Sequence, residues 1–553
     1  MKYSERGIAL PLVLIYTLIL TITGMAFLYL GGDERTLVQR DVNSARAFYA
    51  AEAGIEYGVF QLNKLLGEQT ELTDSNNDIV DDYGIPLPDM EGFTFDVFTI
   101  EKVGDVERKV IESGPHKGME GLIQKYKITS QATSNSSNSA SARIVQWVED
   151  QRVHIFQFAT FYDQDLELEP GSPMTMTGRI HSNRDIYLTS GQLKVDSYVT
   201  SAGDIYRTDK PGDTAGESGD TQIKDKDGDY QYLSFDSTDP DWATKAEERW
   251  GGTVLSKDHG VQTLTIPMPT TEEPIEVIKR GNTIDPDSSS ESETLKEARL
   301  YWQADLRIID GQAYDKSGNV VDLTYTDAEG NTINPLNLSK SFYNYREGKD
   351  IKVTEIDIAK LVESGHFPAN GILYVSTHSA GPGEEDGVRL VNGSGLPSGG
   401  LTVATDNPLY IQGDYNLNEA PAAVLCDAIN ILSNSWQDGQ DWPPAAAAET
   451  QVNSCIATGH TPTSDGGYGG GLENLTRFLE TWSGVTFTWS GSIDSLWYSE
   501  IAIGDWNYGW PYYEAPFRNW EFDEQLLNVS GLPPGTPLLC ISHRSGWEEG
   551  FAQ

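Results

Sequence analysis

The sequence is poor in cysteine, with three residues in 553: Cys426, Cys455 and Cys540. An odd, low count allows at most one disulfide within the chain, so stability does not rest on a disulfide framework. Cys426 with Cys455 is the pair to test. Histidine is scarce too, and none of the eight stands in a metal-ligand spacing. Neither a GxxxxGK[ST] phosphate loop nor an HExxH zinc helix occurs. Ser376-Thr-His378 and Arg179-Ile-His181 are the nearest approaches to a catalytic pattern, but a lone histidine is usually a structural polar group. The expectation is no enzyme and no catalytic residues. Basic residues are outnumbered, 39 against 83 acidic ones, for a formal net charge of −44. Such a surface repels nucleic acid and anionic lipid and is compatible with cation binding.

Charge itself is missing from one stretch. Ile8 to Leu30 contains no Asp, Glu, Lys or Arg. About 20 apolar residues cross a bilayer core as a helix. Lys2 and Arg6 precede the stretch, and Asp33, Glu34 and Arg35 close it. The basic flank favours a cytoplasmic N-terminus, with everything after residue 30 exported. A secretory signal peptide has a shorter apolar core, and Leu28-Tyr29-Leu30-Gly31-Gly32 matches its cleavage site poorly. A plain membrane anchor stays open.

Helical periodicity continues from Asp33 to Leu66. Phe48, Ile55, Val59, Leu62 and Leu66 form one apolar stripe. Ala47, Ala51, Gly54 and Gly58 form a second stripe of small residues, which lets helix backbones approach closely. A membrane helix running into a packable helix suits a subunit that assembles side by side with others.

Glu5-Arg6-Gly7-Ile8-Ala9-Leu10, the apolar run, and Ser44-Ala-Arg-Ala-Phe-Tyr-Ala-Ala-Glu52-Ala-Gly-Ile-Glu56 together resemble the N-terminus of PilX-type minor pilins. These belong to the type IV pilin and pseudopilin superfamily, and the resemblance covers residues 1–66. It implies a leader over 1–7, cut by a prepilin peptidase between Gly7 and Ile8, with N-methylation of Ile8. It implies a transmembrane and assembly helix over 8–66. The implied partners are other pilins and minor pilins, the prepilin peptidase and the bacterial inner membrane. The implied destination is a surface pilus or a periplasmic pseudopilus. Two residues depart from the major-pilin pattern. Leu12 stands where most major pilins carry Glu, a feature shared with the tip pseudopilin of type II secretion systems. Pro11 falls in the first turn of the mature helix, where it is tolerated.

The expected fold class is α+β, mostly β. At 553 residues the chain exceeds one ordinary core. Residues 67–158 read as a pilin-like β module, because Phe93–Ile100, Tyr126–Ser130 and Ala142–Val148 alternate in polarity. Within it, Asp74, Asn76 and Asp78 place oxygen atoms at alternate positions, as the start of a calcium loop does. Asp225, Asp227 and Asp229 repeat that spacing beside Gly228. Calcium is therefore the one cofactor the sequence raises, against solvated acidic turns.

Residues 159–206 carry short strands between Gly, Asn, Asp and Ser. Asn183-Arg-Asp185-Ile-Tyr187 is echoed by Gly203-Asp204-Ile-Tyr206. This rhythm suits a small β-helix or solenoid, with a sandwich as the alternative. It resumes over 371–420, making 207–370 an insertion that holds short helices near 239–251, 293–301 and 357–364. Tyr314–Val320 and Tyr325–Thr332 carry hairpin turns. Residues 421–553 form an aromatic-rich C-terminal region, with helix candidates at Pro421–Leu432 and Leu472–Trp482. Its rings from Trp482 to Phe522 suit a core, and Trp506–Tyr513 is its most surface-like piece. A surface or carbohydrate ligand is the external partner such rings permit.

Two functions follow. One is a minor pilin or pseudopilin, placed at a filament tip, displaying a β-rich mass for assembly priming or adhesion. The other is a membrane-anchored exported binding protein or polysaccharide-active enzyme outside any filament.

Overall fold

This computed structural model describes residues 9–69, 71–75, 77–112, 114–136, 139–213, 219–439, 445–463, 469, 471–504 and 514–550, leaving aside the side chains of residues 32, 33 and 36. It joins an apolar helix to a mostly β body. Helix α1 spans Ala9–Glu68, 60 residues, or about 90 Å at the helical rise of 1.5 Å per residue. Ala9–Gly31 is long and apolar enough to cross a membrane, and none of it is buried.

Further along, one face of α1 packs on a sheet. Ala47, Ala50, Ala51, Ile55, Val59, Leu62 and Leu66 are buried there. The sheet contains β1 (Phe93–Val110), β2 (Glu120–Ser134), β3 (Ser141–His154) and β4 (Leu538–Gly550), all antiparallel in that order. Alternation directs Phe98, Ile100, Tyr126, Ile128, Ile144 and Val148 toward the helix. The three expected strands form β1 to β3. The fourth comes from far along the sequence, so the module is not confined to residues 67–158.

The body is a stack of parallel strands. Thr160 lies beside Ile180, Ile180 beside Val199, and Val199 beside Val254. Leu166–Leu168, Ile186–Leu188 and Ile205–Tyr206 form a second column. Met174–Met176, Leu193–Val195 and Gln222–Lys224 form a third. Their inward residues, including Leu166, Leu168, Ile186, Leu193 and Val195, fill one core. The echo seen in the sequence is a vertical neighbour relation. The Tyr187 and Tyr206 rings stack at 5.0 Å. The amide of Asp185 donates to the Asp165 carboxylate at 3.2 Å, and that of Asp204 to Asp185 at 2.7 Å.

The later segments extend this stack from its other side. Leu306–Ile309, Ile372–Ser376, Leu401–Thr405, Ala422–Cys426, Cys455–His460 and Ile493–Tyr498 run parallel, each beside the next. Ser495 then pairs with Tyr162. The chain thus enters the stack in its middle, builds outward to Leu255, crosses to the far end over residues 256–305, and builds back. Aromatics close both ends. Helix α2 (Trp242–Trp250) sets Trp242 and Trp250 against Phe235 beside Val254. At the other end Arg307 lies over the rings of Tyr301 and Trp302.

This arrangement corrects several boundaries. The stack resumes at Leu306 rather than at 371, so 207–370 is not one insertion. Residues 422–498 continue it rather than opening a separate region. Pro421–Leu432 forms strands Ala422–Cys426 and Ile429–Leu432, not a helix. Its unbroken apolar run reflects strands covered on both faces. Leu472–Trp482 holds one helical turn, Leu472–Asn474, and the short strand Arg477–Phe478. The expected helices near 239–251, 293–301 and 357–364 are present.

Candidate functional site

Among the described residues, the most extended exposed apolar surface is on α1. Its upstream part is apolar all round and exposed, from Leu10 to Leu30, and Leu37, Val38 and Val42 continue the exposed apolar surface. A helix apolar on every face requires an apolar environment on every face. Leu12 lies in this part, 48% exposed. Gly7 and Ile8, the expected processing site, lie outside the described residues.

The stripe of small residues has a different role from the one expected. Ala47 and Ala51 are buried within the chain. A Cβ on Gly54 would stand 2.8 Å from the Phe95 ring, and one on Gly58 would stand 2.7 Å from Ile128. The small and apolar stripes are therefore one face, spent on the chain's own sheet. Glu52 is exposed beside it, with Tyr49 and Phe60 also outward.

The acidic spacings serve turns and edges. Asp225 accepts hydrogen bonds from the amides of Asp227 and Asp229 at 2.9 and 3.0 Å and from Gln231 at 2.9 Å. Asp227 instead pairs with Lys226. Asp315 and Asp327 bind Asn319 and Asn331 in the same way, so all three are hairpin turns. Asp74 accepts from the Lys102 amide and Asp78 from those of Val80 and Ile100. These carboxylates cover the outer edge of β1, which guards against stray strand pairing. Asn76 lies outside the described residues. Among those described, no three His, Cys, Asp or Glu side chains are grouped to hold a metal.

The expected disulfide is also corrected. All three cysteines are free and buried. Cys455 stands opposite Ala423, and Cys426 opposite Thr458. Three residues of offset in a strand is about 10 Å, beyond disulfide reach.

Of two titratable clusters among the described residues, one was not legible in the sequence and the other was visible only as His378. Glu167 is buried on the second column, where it accepts from Thr463 at 2.8 Å and lies 3.4 Å from Lys210. Burial raises its carboxyl to about 7, and Lys210 opposes that shift. Neighbouring Glu169 is pushed up to about 9, by burial first and then by Asp213. A carboxyl poised near neutrality suits proton transfer, and Lys210 also bonds Asp165 at 3.1 Å, so one ammonium bridges two carboxylates. His378, the second case, lies 3.2 Å from Asp406. That hydrogen bond raises the imidazole above its ordinary value. Ser376 is buried while His378 is half-exposed, so hydroxyl and ring share no surface.

Trp482, Trp489 and Trp497 are core residues, as expected of most of the aromatic run. Phe517 is exposed. Trp506–Tyr513 lies outside the described residues. No known protein family, curated protein or solved structure matches the chain.

Proposed function

We propose that this chain is a minor pilin or pseudopilin that enters a type IV pilus or related filament through α1 and displays the stacked-strand body. The observation that carries this reading is the single continuous helix: wholly apolar and unburied over Ala9–Gly31, then packed by one face on an antiparallel sheet. One rod with those two halves suits a subunit held first in a bilayer and then among neighbouring rods. The bulk of the body and Leu12 favour the tip, where the body primes assembly or adheres. We read the body as a β-solenoid, supported by its three parallel columns and its aromatic ends. The membrane of origin is the bacterial inner membrane, with residues before α1 cytoplasmic. Partners are other pilins and the prepilin peptidase, with no role for nucleic acid.

The test is substitution at the processing site in the native host. Gly7→Ile should leave the leader attached, hold the chain in the membrane and remove it from the sheared surface fraction. Unchanged recovery in that fraction would contradict the reading and favour an anchored binding protein outside any filament.

A further inference from the structure

The sheet that carries α1 is assembled from two pieces of chain, with the body between them. β1 to β3 precede the body and β4 follows it. β4 pairs with β3 from Arg143↔Gly550 to His154↔Leu538. Gln146 also donates to the Gly546 carbonyl across 400 positions of sequence. β4 reaches the helix as well. Arg544 donates two hydrogen bonds to Glu56, at 2.6 and 2.7 Å, and Trp547 meets Phe48 edge-on at 6.1 Å.

The two sides of the β1–β3 meander are closed differently. Asp74 and Asp78 cover β1, and both are synthesised before it. β3 is covered by β4, which is synthesised after the whole body. Without β4, β3 would present a long row of unpaired backbone groups. The body also sets where β4 begins. Ile155, the first residue after β3, donates to the carbonyl of Pro537, the residue before β4, at 3.1 Å. A folded body holds its entry and exit side by side. A misfolded one leaves a long loop whose closure costs entropy.

We propose that β4 is a clasp: it completes the helix–sheet module only when the body has been made and folded, so that display and assembly competence are coupled. The consequence for assembly rests on the filament reading above; the clasp itself does not.

Four full-length forms and one shortened form test this in the native host and as purified protein: wild type, Arg544→Glu, Glu56→Arg with Arg544→Glu, Leu425→Asp in the body core, and a chain ended after Pro537. Amide exchange over 47–66 and 141–154 reads the clasp, and recovery in the sheared fraction reads assembly. The clasp predicts lost protection in both segments for the shortened chain and for Leu425→Asp. It predicts a smaller loss for Arg544→Glu, restored by the charge swap. Wild-type protection in the shortened chain and in Leu425→Asp would overturn it. If wild type itself is missing from the sheared fraction, the filament reading fails, and the exchange arm still decides the clasp.

Discussion

The two halves of α1 obey the same backbone rules and meet different surroundings. Gly24 has nothing within 4 Å of a would-be Cβ, whereas Gly58 has Ile128 at 2.7 Å. Leu14 is 62% exposed and Leu62 is 0% exposed. In the downstream half the apolar residues are periodic, and the partner is the chain's own sheet. In the upstream half they are not periodic, and the partner must come from outside the chain. Lack of periodicity in an apolar helix is thus informative: it marks a segment that the chain's own fold does not cover.

The sharpest way to break this contrast is a pair of truncations. Leu62→Ala should destabilise the full-length chain in detergent by about 2–5 kcal/mol, the usual range for a buried leucine. Leu14→Ala should leave unfolding of the module unchanged. Equal effects in denaturant titrations would mean that the halves do not differ.

The joint between module and body gives the next effect. His116 is 3% exposed, and neither ring nitrogen has a hydrogen-bond partner among the described residues. It faces Phe158 and His181, and Arg179 donates to the carbonyls of Pro115 and Lys117 on its loop. Burial, then His181 and Arg179, lower its pKa to about 3. The unfolded chain binds that proton near pH 6.5. The contribution to stability is therefore complete above about 6.5 and falls as pH drops toward 3, by roughly 1.4 kcal/mol per pH unit. His116→Phe should flatten that part of the stability–pH curve. An unaltered curve would remove His116 from the account.

Gly58→Ala against Gly24→Ala sharpens the helix comparison. Crowding Ile128 should cost about 1–3 kcal/mol, whereas Gly24→Ala meets open space and should raise helix propensity by about 1 kcal/mol. The Glu56–Arg544 pair should be worth less. Its hydrogen bond from Arg544 holds the Glu56 carboxyl below its usual range. The stabilisation is present above the unfolded carboxyl pKa and is lost as pH falls through the folded value. Both groups are exposed, so a double-mutant cycle should return at most about 1 kcal/mol, reduced by salt. The smallest effect concerns the thiols. Burial pushes Cys426 and Cys540 up to about 12, so alkylation should require unfolding, and a reductant should leave the unfolding midpoint where it was.

What the sequence disclosed was local. The stripe from Ile55 to Leu66 and the alternation of β1 to β3 are short-range patterns imposed by one buried face. The Asp185 and Asp204 echo was visible because two successive turns of chain repeat it. Its third member, Asp165, was hidden because Glu167 stands where the other copies have tyrosine. β4 was illegible for a physical reason. Its sequence alternates poorly, and its partner lies 400 positions away. The calcium spacing is ambiguous because alternate aspartates also satisfy the amides of a tight turn, as Asp225 does. The candidate clusters at Glu167 and His378 depend on which strands stack, and no local pattern encodes that order.

We propose that the mature chain begins at Ile8 and leaves the membrane for a filament. Mass spectrometry of the first peptide, from envelope and sheared-surface fractions of the native host, tests it most directly. The account predicts a peptide beginning with N-methylated Ile8 in both fractions. A peptide beginning at Met1, found only in membranes, would contradict it.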